Sequence, residues 1–137
     1  MTTQPDYSDL VAQARAARAR AYCPYSNFAV GAAALASDGR VFPGCNVENA
    51  AYPAAICAER AALVGAYAAG ARAITALVVI ADTPGPVSPC GTCRQVIHEL
   101  APGCTVVLAN MRGELLVTTP QALLPGGFTS DDLTPRR

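Results

Sequence analysis

Four residues carry spacing that could do chemistry. Cys90-Gly91-Thr92-Cys93 is a C-x-x-C, and Cys57-Ala58-Glu59 sets a third thiol two residues before a carboxylate. A C-x-x-C alone serves either a thiol–disulfide couple or a metal. Three thiols at one point suit Zn²⁺ with an open fourth position, the arrangement of a catalytic rather than a closed structural site. Three thiolates around Zn²⁺ leave one net negative charge, which makes the metal a poor activator of water unless something offsets it. Helix N-termini would help, and Arg60 is a plausible partner for the sulfurs. Glu59 lies about 200° around a helix from Cys57, so it does not share the metal through one face, but in the first turn it can lean over the open position and hold a proton. Its plainer role would be an acid complementing the helix dipole. His98, the only histidine, reads as a partly exposed helical residue and not a ligand. Cys23, Cys45 and Cys104 read as small buried hydrophobes.

The elements must bring the thiols together. A helix is predicted from Ile56 to about Ala69, stopped by Gly70. Thr75–Ala81 is continuously apolar and rich in β-branched residues, as a strand buried on both faces would be. A helix of about 13 residues rises about 20 Å, and a strand of about seven returns about 23 Å. The strand therefore ends level with the start of the helix. The loop of residues 82–89, with Pro84, Pro86 and Pro89, starts the next helix, Cys90–Leu100, at the same edge. Both helix N-termini then face one spot with three thiols.

The other elements follow from local signals. Ser8 or Asp9 can cap a helix to about Ala21, with Leu10, Val11, Ala14 and Ala17 inward. Phe28–Ala36 and Val41–Cys45 read as a hairpin around Ser37-Asp38-Gly39-Arg40. Asn46–Ala55 is irregular. Thr105–Ala109 is a strand that turns at Asn110–Gly113 into Leu115–Thr118, before a helical turn at Pro120–Leu124. The strand–helix–strand unit from Thr75 to Ala109 should be a parallel crossover. The expectation is one α/β domain over 1–137, a three-layer α/β/α arrangement with a mixed five-stranded sheet. Residues 1–7 and 134–137 are expected to be loose tails.

Composition excludes several functions. The 137 residues are 52% hydrophobic and 15% charged, which argues against disorder. All ten basic residues are Arg, so lysine Schiff-base chemistry and a phosphate-binding P-loop are excluded. Ten acids balance them, without the basic footprint of a nucleic-acid binder. The helix arginines at 15, 18 and 20 read as a solvated face. Ala73–Ala81 is too short to span a membrane, and the N-terminus lacks the pattern of a signal peptide. A cytoplasmic location with reduced thiols is expected.

The chain resembles the small, tetrameric cytidine deaminases. The resemblance rests on Cys57-Ala58-Glu59 followed by Pro89-Cys90-Gly91-Thr92-Cys93-Arg94-Gln95, the zinc-deaminase signature with Cys in the first ligand place. It extends from Tyr22-Cys23-Pro24-Tyr25-Ser26-Asn27-Phe28-Ala29-Val30-Gly31, through Asn46-Val47-Glu48-Asn49 and Tyr52-Pro53, to Leu123-Leu124-Pro125 and Phe128. It implies a cytidine-deaminase-like fold and hydrolysis of cytidine and 2′-deoxycytidine to uridine and 2′-deoxyuridine in pyrimidine salvage. Cys57, Cys90 and Cys93 would bind zinc, and Glu59 would shuttle protons. Phe28 would pack on the pyrimidine, and the backbone at Ala58 would meet its carbonyl. Asn46 and Glu48 would hold a ribose hydroxyl. Tyr52 and Phe128 would complete a neighbour's pocket in a homotetramer, and Arg60 and Gln95 would support the ligand sulfurs. Without the resemblance, Phe28 would read as a core aromatic and Asn46 as a turn residue. A deaminase of the nucleoside-like antibiotic blasticidin S is an alternative, although Asn46 and Glu48 favour an ordinary nucleoside. A non-enzymatic zinc domain would leave Glu59 and Asn46–Asn49 idle. A polynucleotide deaminase would carry a helix where Asn110–Gly113 allows only a hairpin turn. No membrane or nucleic-acid partner is expected.

Overall fold

The computed structural model describes residues 6–134. Its centre is β3 (Ile74–Ala81), buried except at Thr75. β1 (Val30–Ala36) pairs antiparallel with β3 on one side, and β4 (Thr105–Asn110) pairs parallel with it on the other. β2 (Val41–Cys45) and β5 (Leu115–Thr118) close the two edges as antiparallel hairpins, giving the order β2-β1-β3-β4-β5.

The continuous apolar run of β3 has a simple cause. Leu77, Val79 and Ala81 face one layer of core, while Ala76, Val78 and Ile80 face the other. Successive side chains on a strand point to opposite faces, so a strand covered on both sides must be apolar at every position. The first layer is filled by α2 (Ala58–Ala68) and α3 (Gly91–Leu100) through Ala62, Leu63, Ala66 and Ile97. The second is filled by α1 (Ser8–Arg18) through Leu10 and Ala14. This is the expected three-layer α/β/α arrangement on a mixed sheet. A short α4 (Pro120–Leu123) and single 3₁₀ turns at Tyr52–Ala54 and Ser130–Leu133 complete the described chain.

Two glycines let the helices lie close to the sheet. A Cβ at Gly31 would meet Arg18 Cβ at 2.7 Å, and one at Gly44 would meet the Ala62 backbone nitrogen at 2.5 Å. Any larger residue at Gly44 would push α2, and with it the start of α2, away from the strands.

Several boundaries differ from expectation, each for a local reason. The first helix ends at Arg18 rather than Ala21. Arg20 and Ala21 donate to the Ala17 and Arg18 carbonyls in tighter turns, and Tyr22 is drawn into a bridge with Val47. β1 starts at Val30 rather than Phe28. Asn27 adopts a left-handed φ of 56°, and the Phe28 N–H is taken by Ser26 Oγ at 3.0 Å. Cys57 and Cys90 stand just before their helices, as N-caps, rather than inside them. The 3₁₀ turn at Ser130–Leu133 was not anticipated; Thr129 and Asp132 cap it reciprocally. Of the expected tails, residues 1–5 and 135–137 lie outside the described residues. Asp6 accepts a hydrogen bond from the Ser8 N–H at 2.9 Å, and Tyr7 packs beside the α1 layer.

Candidate active site

Cys57 Sγ, Cys90 Sγ and Cys93 Sγ lie within 4.8 Å of one another. The crossover places them there. α2 leads into β3, β3 returns to the edge where α2 began, and the 82–89 loop then hands the chain to α3. Cys90 Sγ also accepts the N–H of Cys93 at 3.5 Å, so this thiol caps its own helix.

The donor set fits zinc. Tetrahedral Zn–S bonds of about 2.3 Å put sulfurs somewhat under 4 Å apart, and Cys90 Sγ and Cys93 Sγ are 3.3 Å apart. The thiols share protons in a way that a cation would relieve. A hydrogen bond from the Cys93 thiol lowers the Cys57 pKa to about 5, with Arg60 adding to it and burial opposing. Acting as that donor raises the pKa of Cys93, and burial raises it further. Three adjacent thiols lose all their protons only when a positive ion offsets the charge. Arg60 Nη2 lies 3.7 Å from Cys57 Sγ and donates to the Ala55 carbonyl at 3.3 Å. Its positive charge therefore lies beside the Cys57 sulfur.

The sulfurs form the floor of a cavity of about 270 Å³. Ala58 and Glu59 line it beside them, and Glu59 is only 4% exposed. Burial raises the Glu59 pKa, and the neighbouring Cys57 charge adds to the rise. A carboxyl that holds its proton more readily than usual is suited to passing protons at near-neutral pH. Val79, Val87, Ser88 and Pro89 form one wall.

The opposite wall carries Ser26, Phe28, Val30, Asn46 and Glu48. Asn46 Oδ1 accepts the Val30 N–H at 2.8 Å, and its Nδ2 donates to the Phe28 carbonyl at 2.7 Å. These two bonds fix the amide and leave one N–H and one lone pair unused. Glu48 Oε1 accepts the Tyr25 and Ser26 N–H groups at 2.9 and 3.2 Å, and Oε2 accepts the Ser26 hydroxyl at 2.5 Å. The Ser26 hydroxyl lowers the Glu48 pKa, with the Tyr25 and Ser26 amides adding to the effect, so the carboxylate stays charged. Phe28 presents its ring at 43% exposure.

Gln95, Tyr52 and Phe128 do not line this cavity. Gln95 does not support a sulfur. It sits two residues beyond Cys93, about 200° around α3, and its Nε2 donates to the Phe128 carbonyl at 3.0 Å. Tyr52 and Phe128, 73% and 54% exposed, line no part of this cavity. Tyr52 stacks edge-on with Tyr25 across the outer side of Glu48. Ser26 and Ser88 were missed. The signal for both was position: Ser26 lies two residues before Phe28, and Ser88 two before Cys90.

Residues 4–109 match the family model described as the cytidine and deoxycytidylate deaminase zinc-binding region. The chain is 52% identical over 130 residues to a cytidine deaminase of Sporosarcina psychrophila, covering 94% of this chain and 96% of the relative. A cytidine deaminase of Mycobacterium tuberculosis is 41% identical over 138 residues, covering 96% of each. Among solved structures, a cytidine deaminase from Burkholderia pseudomallei superposes with a TM-score of 0.86 at 51% identity, covering 90% of this chain and all of that one.

Proposed function

Because the chain belongs to the cytidine and deoxycytidylate deaminase zinc-binding family, we propose that it hydrolyses cytidine and 2′-deoxycytidine to uridine, or 2′-deoxyuridine, and ammonia. Such a reaction recovers pyrimidine nucleosides. The observation that carries the reading is one cavity holding three clustered thiols, a buried carboxyl and an oriented Asn46–Glu48 pair.

Zinc held by Cys57, Cys90 and Cys93 would supply the Lewis acidity that brings the pKa of a water down towards neutrality. Glu59 takes a proton from that water on its carboxylate and passes it to ring N3 as oxygen reaches C4. It then carries the second proton to the amino nitrogen, which leaves as ammonia. The nucleoside is held at three points, two on the base and one on the sugar. The Ala58 N–H, one of the first-turn donors of α2 that have no partner within the helix, meets the ring carbonyl. Phe28 packs on the ring face. A ribose hydroxyl can donate to the free lone pair of Glu48 Oε2 and accept from the unused N–H of Asn46. Ammonia release from cytidine by protein carrying about one zinc per chain tests this reading. A zinc-loaded protein that releases none overturns it.

The assembly we propose is a homotetramer in which Tyr52 and Phe128 close neighbouring pockets. Both rings are exposed and lie outside their own chain's cavity. The outer side of α2 is also small and apolar, with Val64 51% exposed beside Gly65. Light scattering in dilute buffer should give the mass of four chains, and a fully active monomer would contradict it. Among the described residues no helix is long and apolar enough to cross a membrane. The clustered free thiols favour a cytoplasmic site of action.

A further inference from the structure

The geometry points to Arg94 as a positioning residue that orients Cys90 by holding the peptide units on both sides of it. Arg94 follows Cys93 on α3. Its backbone N–H donates to the Cys90 carbonyl at 3.0 Å, and its Nε donates to the Pro89 carbonyl at 2.9 Å. The Pro89 carbonyl belongs to the peptide unit before the Cys90 Cα, and the Cys90 carbonyl to the unit after it. Fixing both planes fixes the φ and ψ of Cys90 and so the direction of its Cα–Cβ bond, from which Sγ reaches the cluster.

The remaining guanidinium nitrogens extend the clamp. Nη2 donates to Ser88 Oγ at 2.6 Å, tying down a wall of the cavity. Nη1 donates to the Leu123 carbonyl at 2.7 Å, at the end of α4. The adjacent Gln95 holds the Phe128 carbonyl. One turn of α3 therefore links a thiol of the chain's own cluster to the segment that presents Phe128. The far end of the same loop is held separately. Asn110 Nδ2 donates to the Thr83 and Pro84 carbonyls, each at 3.2 Å. Only the Cys90 end depends on Arg94.

A planar guanidinium serves three acceptors in fixed directions at once; a lysine ammonium on a flexible stem does not. The clamp rests on the reading of the three thiols as a zinc site, but its test reads the metal directly. Arg94→Lys keeps the charge and most of the volume. Tyr67→Phe is the control. It removes a different bond to the same helix, from the Tyr67 hydroxyl to the Leu100 carbonyl at 2.7 Å, away from the cavity. Zinc transfer to a chromogenic chelator and steady-state kinetics with cytidine are measured on the parent and both variants.

Arg94→Lys should release zinc about 10- to 100-fold faster and lower kcat by about as much, as loss of groups that orient metal ligands does. KM should move less than kcat, because Arg94 lies outside the substrate-contacting wall. Tyr67→Phe should leave zinc release and kcat close to the parent. Parent-like zinc release and kcat in Arg94→Lys overturn the assignment. So does a Tyr67→Phe protein that loses zinc equally fast, since the effect would then be general loosening of α3. If the parent binds zinc but leaves cytidine untouched, the substrate reading fails while the zinc-release comparison still decides the role of Arg94.

Discussion

Glu59→Gln should retain its zinc and its fold while turnover of cytidine falls by at least about 10²- to 10⁴-fold, the usual contribution of a positioned acid–base group. The two side chains have nearly the same shape, so the packing around this buried position is kept. The amide cannot accept the proton of the attacking water, and both proton transfers in the reaction pass through this one carboxyl. Stability should not suffer. The carboxyl lies beside the charged Cys57, which together with burial raises its pKa, and a neutral amide removes that repulsion. Metal analysis, thermal unfolding and single-turnover kinetics on one preparation give the full result. A variant that turns over at close to the parental rate would remove Glu59 from the mechanism. A variant that lost zinc would make Glu59 a ligand.

The thiol cluster was legible in the sequence because it depends on lengths that local pattern reveals. The periodicity of α2, the unbroken apolar run of β3 and the proline-rich loop after it fix where two helices start. The three sulfurs follow from that. The α4 turn and both hairpins were legible through their Pro, Gly, Asn and Asp residues. What pattern did not reveal is set by side chains reaching across the fold. β1 starts at Val30 because Ser26 takes the Phe28 N–H and Asn46 takes the Phe28 carbonyl and the Val30 N–H. The direction of Gln95 depends on where the chain runs after Gly127, which no local signal gives. Arg94 enters the sequence reading only as a member of the run from Pro89 to Gln95, since the carbonyls it holds are brought to it only in the fold. Tyr52 and Phe128 stand exposed on the surface of the chain, and neither a turn residue nor a hydrophobic period marks that in the sequence.

The other large effect concerns the sugar. Cytidine and 2′-deoxycytidine should both be substrates, 3′-deoxycytidine should lose at least about tenfold in kcat/KM, and cytosine inside a single-stranded oligonucleotide should not be turned over. The cause is the state of Glu48. Two backbone amides and the Ser26 hydroxyl hold its carboxylate in place and keep it charged, leaving one lone-pair direction on Oε2 for a donor. A 3′-hydroxyl supplies that donor, and its loss leaves the carboxylate facing the ligand without a partner. A phosphodiester at the same oxygen has no hydrogen to give and brings a second negative charge. Ten acids offset the ten arginines, so the chain carries no net positive charge to neutralise a strand's phosphates. The 2′-hydroxyl has no partner assigned among the cavity residues, so its removal should change kcat/KM little. Glu48→Gln removes both causes at once. Its one amide oxygen must stay where Oε1 accepts the Tyr25 and Ser26 N–H groups, so an NH₂ donor takes the place of Oε2, and the variant should lose most of the preference for the 3′-hydroxyl and reject a 3′-phosphate less strongly than the parent. Parental turnover of the oligonucleotide, or indifference to the 3′-hydroxyl, would mean that Glu48 does not face the sugar and that the base alone is recognised.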